Sequence, residues 1–137
     1  MTCGIYKLNE LKNYKYVVIL SRYNNKILLS QHEKRTTWET QGGHIEENET
    51  ELEAAKRELY EESGAVEFTI TPIFDYRAGD EVSAANGMVF FANIKKLEDI
   101  PLSEMRAVKL FDKLPYNLTY PDLTPVLFAY AKEYFLN

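Results

Sequence analysis

The segment from Gln41 to Ala65, QGGHIEENETELEAAKRELYEESGA, constrains this chain more than any other: a glycine pair, a helix crowded with glutamates, and a closing glycine. The helix is expected to begin near Asn48, which can cap the free amide groups while Glu51, three residues on, completes a capping box. It should stop near Ser63, because Gly64 can take the left-handed conformation that ends a helix. Leu52, Ala55 and Leu59 recur at helical spacing and supply an apolar face. Glu58, Glu61 and Glu62 fall at i, i+3 and i+4, so they share one side of the last turn. Like charges at that spacing repel, and the helix C-terminus already carries partial negative charge. Arg57 can pair with Glu61 one turn on, but one arginine does not neutralise three carboxylates; a hard divalent cation bound by oxygen ligands would. Glu47, Glu49, Glu51 and Glu53 need less explanation, since negative charge is favoured near a helix start.

The spacing adds a second constraint. Gly43, five residues, Glu49, seven residues, then Arg57-Glu58-Leu59-Tyr60-Glu61-Glu62-Ser63-Gly64-Ala65 resembles the Nudix box, G-x5-E-x7-R-E-U-x-E-E-x-G-U, where U is a bulky aliphatic residue. Every invariant position is met, with Ala65 a small residue at the final U. Where Nudix proteins often read Pro-Gly-Gly before the box, this chain has Gln41-Gly42-Gly43.

Length and charge agree with one compact enzyme. The 137 residues, 45% of them hydrophobic, suit a single domain over 1–137 with a real core. The net charge of −5 is local, because residues 46–62 hold eight glutamates against Lys56 and Arg57. That balance argues against tracking long nucleic acid through a basic surface and allows a small nucleotide arriving with a metal ion. The single cysteine, Cys3, has no internal disulfide partner, and no apolar run approaches membrane-spanning length, so the cytoplasm is the expected compartment and no membrane partner is expected. Thirteen per cent aromatic residues could line a dimer surface or the core, leaving monomer and homodimer both open.

Along the chain, residues 1–13 suggest a short strand and a loop, and Tyr14 to Leu20 reads as a strand. Asn24-Asn25 makes a tight turn into a partner strand, Lys26 to Ser30. Gln31 to Thr40 is a polar loop holding His32, Lys34, Arg35 and the only tryptophan, Trp38, a core residue. Lys34 and Arg35 are either solvated charges or phosphate contacts, and His32 and His44 are too few for a zinc site. Phe68, Ile70, Phe74 and Tyr76 mark a half-buried strand in which Pro72 signals an edge or a bulge. Asn86-Gly87 is a turn signal before Met88 to Ile94, the best candidate for a central strand. Lys95 to Met105 reads as loop, Ala107 to Phe111 as strand, and Thr124 with Pro125 as the start of a last helix burying Leu127, Phe128, Ala131, Tyr134 and Phe135.

The resemblance implies an α/β fold, the Nudix α/β/α sandwich with a mixed β-sheet between helices. It also implies a hydrolase that cleaves a nucleoside diphosphate linked to another group, with Mg²⁺ or Mn²⁺ as cofactor. By resemblance, Glu58, Glu61 and Glu62 are metal ligands together with the carbonyl of Gly42; Arg57 orients the glutamates; and Gly43, Glu49 and Gly64 support the box. The general base could be Glu58, Glu61 or an acid outside the box, for which Glu104 is preferred over Glu98 and Asp99. Tyr120-Pro121-Asp122 resembles the place where relatives that cleanse oxidised purine nucleotides hold the base, although the same residues would serve as a turn and a helix cap. The first expectation is therefore cleavage of a nucleoside triphosphate, such as a damaged purine nucleotide, to monophosphate and pyrophosphate. The alternatives are a pyrophosphatase of ADP-ribose, nucleotide sugars or dinucleoside polyphosphates, and a non-catalytic nucleotide-sensing module.

Overall fold

The computed structural model describes residues 1–136 as β1 (Thr2–Tyr6), β2 (Tyr16–Tyr23), β3 (Lys26–His32), β4 (Gln41–His44), α1 (Glu51–Ser63), β5 (Ala65–Gly79), β6 (Ala84–Leu97), β7 (Met105–Phe111) and α2 (Thr124–Tyr130), with a 3₁₀ turn at Lys132–Phe135. β2 carries apolar residues on both faces, Val17 and Ile19 on one and Val18 and Leu20 on the other, and such a strand is stable only where both faces are covered. The sheet meets that need. Its order is β1-β5-β6-β2-β3-β7, with β4 added beside β2. β2 and β6 run parallel while the other pairs are antiparallel, so the sheet is mixed.

Each face has its own core. On one, Ala54, Ala55 and Leu59 of α1 pack on Val17, Ile19, Leu28, Phe90 and Ala92. On the other, Leu127 and Phe128 of α2 and the following Ala131 pack on Val18, Leu20, Leu29, Phe74 and Val89. The result is a sheet between helices, as the resemblance implies.

β2 and β3 pair only beside the Asn24-Asn25 turn, where both asparagines take positive φ (51° and 62°). Further from the turn they fork. β4 pairs with β2 at Tyr16–Ile19, and Ser30 of β3 bridges to Glu39. This fork places the glycine pair, Gly42 and Gly43, against the middle of the sheet.

Several expectations need correction. α1 is capped by Thr50, not Asn48: the Thr50 hydroxyl accepts from the Glu53 amide, the Glu53 carboxylate accepts from the Thr50 amide, and Asn48 sits in the loop at φ 66°. Its buried face is Ala54, Ala55 and Leu59, while Leu52 is 40% exposed. Asn86 and Gly87 lie inside β6, and the turn falls at Asp80–Ser83, where the Asp80 carboxylate accepts from the amides of Val82 and Ser83. Gly87 is there for space, since a Cβ would strike the Tyr76 ring. β6 continues through Leu97 into the segment expected to be loop, and β7 begins at Met105. Thr124 is the first helical residue of α2 rather than its cap, and no side-chain cap is made there. β2 starts at Tyr16 because Tyr14 turns away to donate to Asp75 at 2.7 Å. Pro72 combines both of its expected roles: β1 pairs only with Asp75–Gly79 of β5, leaving Pro72 on an open edge, and the register shifts between Pro72 and Phe74.

Asp75 is fully buried and accepts from the amides of Asn9 and Leu11 as well as from Tyr14, pinning the loop before β2 to the sheet. Asp75→Ala should leave three donors unpaired and cost about 3 kcal/mol in chemical denaturation.

Candidate active site

A carboxylate-rich helix end is stable only if its charge is organised, and Arg57 organises it. Its Nε and Nη2 donate to the two oxygens of Glu49 at 2.7 and 2.9 Å, a bidentate pair. Its Nη1 donates to Glu58 at 2.8 Å and to Glu61 at 3.1 Å, and Nη2 also reaches the carbonyl of His44 at 3.1 Å. One guanidinium thus joins the loop before α1, the β4 strand end and the last turns of α1. Glu49 pulls the arginine's pKa further up, and the arginine holds the Glu49 carboxyl below its usual range.

Burial acts the other way on two of the box glutamates. Glu58, with a side chain 13% exposed, is pushed up by desolvation, which Arg57 opposes. Glu62 is pushed up to about 8, first by burial and then by the neighbouring charges of Glu58, Glu39 and Glu61, against the hydrogen bond from the Gly42 amide. That amide donates to Glu62 Oε1 at 2.8 Å. Glu61 is about half exposed and faces Arg57.

The two glycines make this approach possible. Gly42 has φ +156°, and a Cβ there would lie 2.4 Å from the Val17 carbonyl. A Cβ on Gly43 would lie 2.7 Å from Glu58 Oε1, so the bare backbone leaves space beside that carboxylate. Gly64, at φ 81°, closes α1 with its amide on the Tyr60 carbonyl.

Among the described residues, no three His, Cys, Asp or Glu side chains already converge on a common point: Glu61 is drawn to Arg57 and Glu62 to the Gly42 amide. The donor chemistry nevertheless fits a hard divalent cation. It offers carboxylate oxygens and backbone carbonyls without thiolate, two of the carboxylates are raised first by burial and then by the charge of neighbouring glutamates, and the space beside Glu58 is left clear by Gly43.

A cleft of about 580 Å³ opens beside this helix end. Gly42, Gly43 and Glu62 line it, and so do Arg35, Glu104 and Tyr120. Lys34 and Asp122 are exposed and lie outside its lining. Arg35 donates to both oxygens of the buried Glu39 at 3.3 and 3.2 Å. Glu104 has a side chain 82% exposed, with His32 Nε2 3.5 Å from its carboxylate. Sequence reasoning missed Glu39, His32, Tyr16 and Tyr76 as cleft residues. Tyr76 is buried, and its hydroxyl is raised first by desolvation and then by Cys3, Tyr16 and Tyr120 around it. Tyr16 packs on His44 at 4.5 Å between ring centroids. Nothing in the local pattern marked these residues; sheet pairing brings them together.

Because the folded protein holds the Glu62 proton up to about pH 8 while an unfolded glutamate releases it near 4.5, the folded state binds more protons between those values, and stability falls as pH rises through that window. In chelator, the protein should melt at a lower temperature at pH 8.5 than at pH 5.5, and Glu62→Gln should reduce that difference. A difference unchanged by the substitution would remove Glu62 as its source.

This geometry has counterparts among known proteins. The NUDIX domain family model matches residues 12–114. YtkD of Bacillus subtilis (strain 168), which carries a provisional assignment as an 8-oxo-dGTP diphosphatase, is 35% identical over 77% of this chain, and the match spans 66%, just under two thirds, of that protein. A mutant of the Bacillus subtilis pyrophosphohydrolase BsRppH superposes with a TM-score of 0.81 at 28% identity, covering 96% of this chain and 90% of that one. A NUDIX-family hydrolase from Clostridium perfringens superposes at 0.71 with 22% identity over 92% and 100% of the two chains. With the family pattern matched from before β2 to beyond β7, this chain belongs to the NUDIX domain family.

Proposed function

We propose that the chain is a single-domain, metal-dependent pyrophosphohydrolase that cleaves a nucleoside triphosphate, with an oxidised purine nucleotide as the first candidate, to the monophosphate and pyrophosphate. The observation that carries this reading is the carboxylate cluster at the end of α1, in which Arg57 holds Glu58 and Glu61 and the neighbouring Glu62, held by the Gly42 amide, lines the aromatic cleft. The provisional diphosphatase assignment of YtkD and the pyrophosphohydrolase activity in the name of BsRppH support it. The substrate is a free nucleotide, and the chain acts as a monomer or homodimer in the cytoplasm.

Glu58, Glu61 and Glu62, with the Gly42 carbonyl, would hold Mg²⁺ or Mn²⁺. When bound, such an ion offsets phosphate charge and lowers the pKa of bound water. Arg57 keeps Glu58 and Glu61 oriented, and Glu49 keeps Arg57 in place. Arg35, already partnered by Glu39, presents its remaining donors to phosphate oxygens. Glu104 is exposed in the cleft wall with His32 beside it, and an unburied carboxylate of that kind is free to take the proton of the attacking water; Glu58 and Glu61 are the other bases in reach of the box. Tyr120, 43% exposed beside the buried Tyr76, offers a ring on which a base stacks, a role that Asp122 outside the cleft lining is less well placed to share.

A hydrolysis panel with Mg²⁺ tests the reading, comparing ordinary and oxidised purine triphosphates with ADP-ribose, nucleotide sugars and dinucleoside polyphosphates. Turnover of triphosphates that falls about 100-fold or more in Glu61→Gln is expected. Preference for another member of the panel would replace the substrate class, and no turnover with metal still bound would favour a sensing module. Glu104→Gln should lower kcat by about 100-fold or more if it is the base, and an unchanged rate would remove it from the mechanism. Tyr120→Ala should raise KM for purine substrates about tenfold with little change in kcat, whereas Asp122→Ala should leave both near wild type.

A further inference from the structure

Gln41 occupies the position before the glycine pair, and its side chain is fully buried, an unusual place for a primary amide. The fork between β2 and β3 explains the burial. The strands separate there, and the Gln41 side chain fills the gap between Ser21 on β2 and Leu28 and Ser30 on β3. Every polar group in the gap is paired. The Ser21 hydroxyl donates to Gln41 Oε1 at 2.6 Å; Gln41 Nε2 donates to the Leu28 carbonyl at 3.2 Å and to Ser30 Oγ at 2.9 Å. Because Ser30 Oγ accepts from Gln41, its own proton is directed outward, to the backbone carbonyl of Glu62 at 2.8 Å. Ser21, Ser30 and Gln41 are all at most 1% exposed, so water does not substitute for any of these bonds.

The chain of bonds ends on a group that needs it. The last carbonyls of a helix have no partner within the helix. In α1 the Tyr60 carbonyl accepts from the Gly64 amide and the Leu59 carbonyl from the Ser63 hydroxyl, while the Glu62 carbonyl accepts from Ser30. A helix cap alone would require nothing more. Here the same short segment grips Glu62 twice: the residue after Gln41 donates its amide to the Glu62 carboxylate at 2.8 Å, while the Gln41 side chain, through Ser30, fixes the Glu62 backbone. Backbone and carboxylate of Glu62 are therefore both referenced to β4.

We propose that Gln41, acting through Ser30, is a positioning residue that sets where the Glu62 carboxylate stands relative to Gly42 and Glu58 and so tunes divalent-cation binding at the helix end. The inference rests on the functional reading of Glu62 as a metal ligand. Gln41 touches neither substrate nor metal in this account; it acts from behind the ligand. Ser21 is the outer member of the chain, holding the Gln41 amide in the orientation that leaves Nε2 facing Ser30.

The test is Mn²⁺ affinity, read by electron paramagnetic resonance of free Mn²⁺ on the nucleotide-free protein, with melting temperature measured beside it. Ser30→Ala should weaken Mn²⁺ binding about tenfold, and Gln41→Leu by a similar factor, as substitutions behind metal ligands do. Ser30→Thr, which retains the hydroxyl, should bind within about twofold of wild type. Val89→Ala, in the core on the other face of the sheet, should lower the melting temperature without moving Mn²⁺ affinity, which separates positioning from general destabilisation. Wild-type affinity in folded Ser30→Ala and Gln41→Leu would overturn the proposal while leaving the metal site intact. If Ser30→Ala does not fold, Gln41→Leu and Ser21→Ala decide the matter alone: weakened binding in both supports the chain of bonds, and wild-type binding in both overturns it. Wild-type protein that binds no Mn²⁺, under conditions where it is folded, would overturn the metal-site reading and this inference with it.

Discussion

The structure depends on one guanidinium surrounded by carboxylates. Arg57 draws Glu49 from the loop before α1, Glu58 and Glu61 from the helix itself, and the carbonyl of His44 from β4 into a single network. Such a network is costly to assemble, because each partly buried ion loses hydration, and costly to break, because removing the arginine leaves its carboxylates facing one another. Its effect is geometric. Glu58 is held against Gly43 on a side where the backbone offers no side chain, and burial holds Glu58 and Glu62 toward their protonated forms, a cost that a cation beside the cleft would offset.

The sheet supplies what the helix lacks. α1 packs closely on the sheet through two small residues, Ala54 and Ala55, with Leu59 beside them, and the β2/β3 fork admits β4 so that Gly42 meets the end of α1. The apolar and aromatic cleft residues come from other places: Tyr16 from the start of β2, Tyr76 from β5 and Tyr120 from the turn before α2. A nucleotide offers a ring and a phosphate chain; the cleft is lined by tyrosines and by Glu62, with Glu58 and Glu61 on the same helix just outside its lining.

How much of this was legible follows from the range of each interaction. Arg57, Glu58, Glu61 and Glu62 are neighbours along one helix, so their spacing alone places them together. The helix starts two residues later than expected because Thr50 with Glu53, at the same spacing as Asn48 with Glu51, makes the capping box instead. Leu52 is more hydrophobic than Ala54, yet the close approach of helix to sheet favours the smaller residue, which turns Leu52 outward. Asn86-Gly87 carries turn chemistry, but Gly87 answers to the Tyr76 ring across β5 and β6, a contact no local window contains. Glu39, His32, Ser30 and Gln41 acquire their partners through sheet pairing and the fork, so their place near the site becomes visible only in three dimensions. The same applies in reverse to Lys34 and Asp122, which are close in sequence to cleft residues yet are exposed and absent from its lining.

Glu58, oriented by Arg57, and Glu62, held by the Gly42 amide, are proposed to share one divalent cation. Crystals of the protein grown with Mn²⁺ and measured at the manganese absorption edge test this directly. An anomalous peak about 2 to 2.3 Å from oxygens of Glu58 and Glu62, with Arg57 still bridging Glu49 to Glu58, is the predicted result. A fully ordered cluster without such a peak, or manganese bound only at surface glutamates such as Glu46 and Glu47, would contradict it.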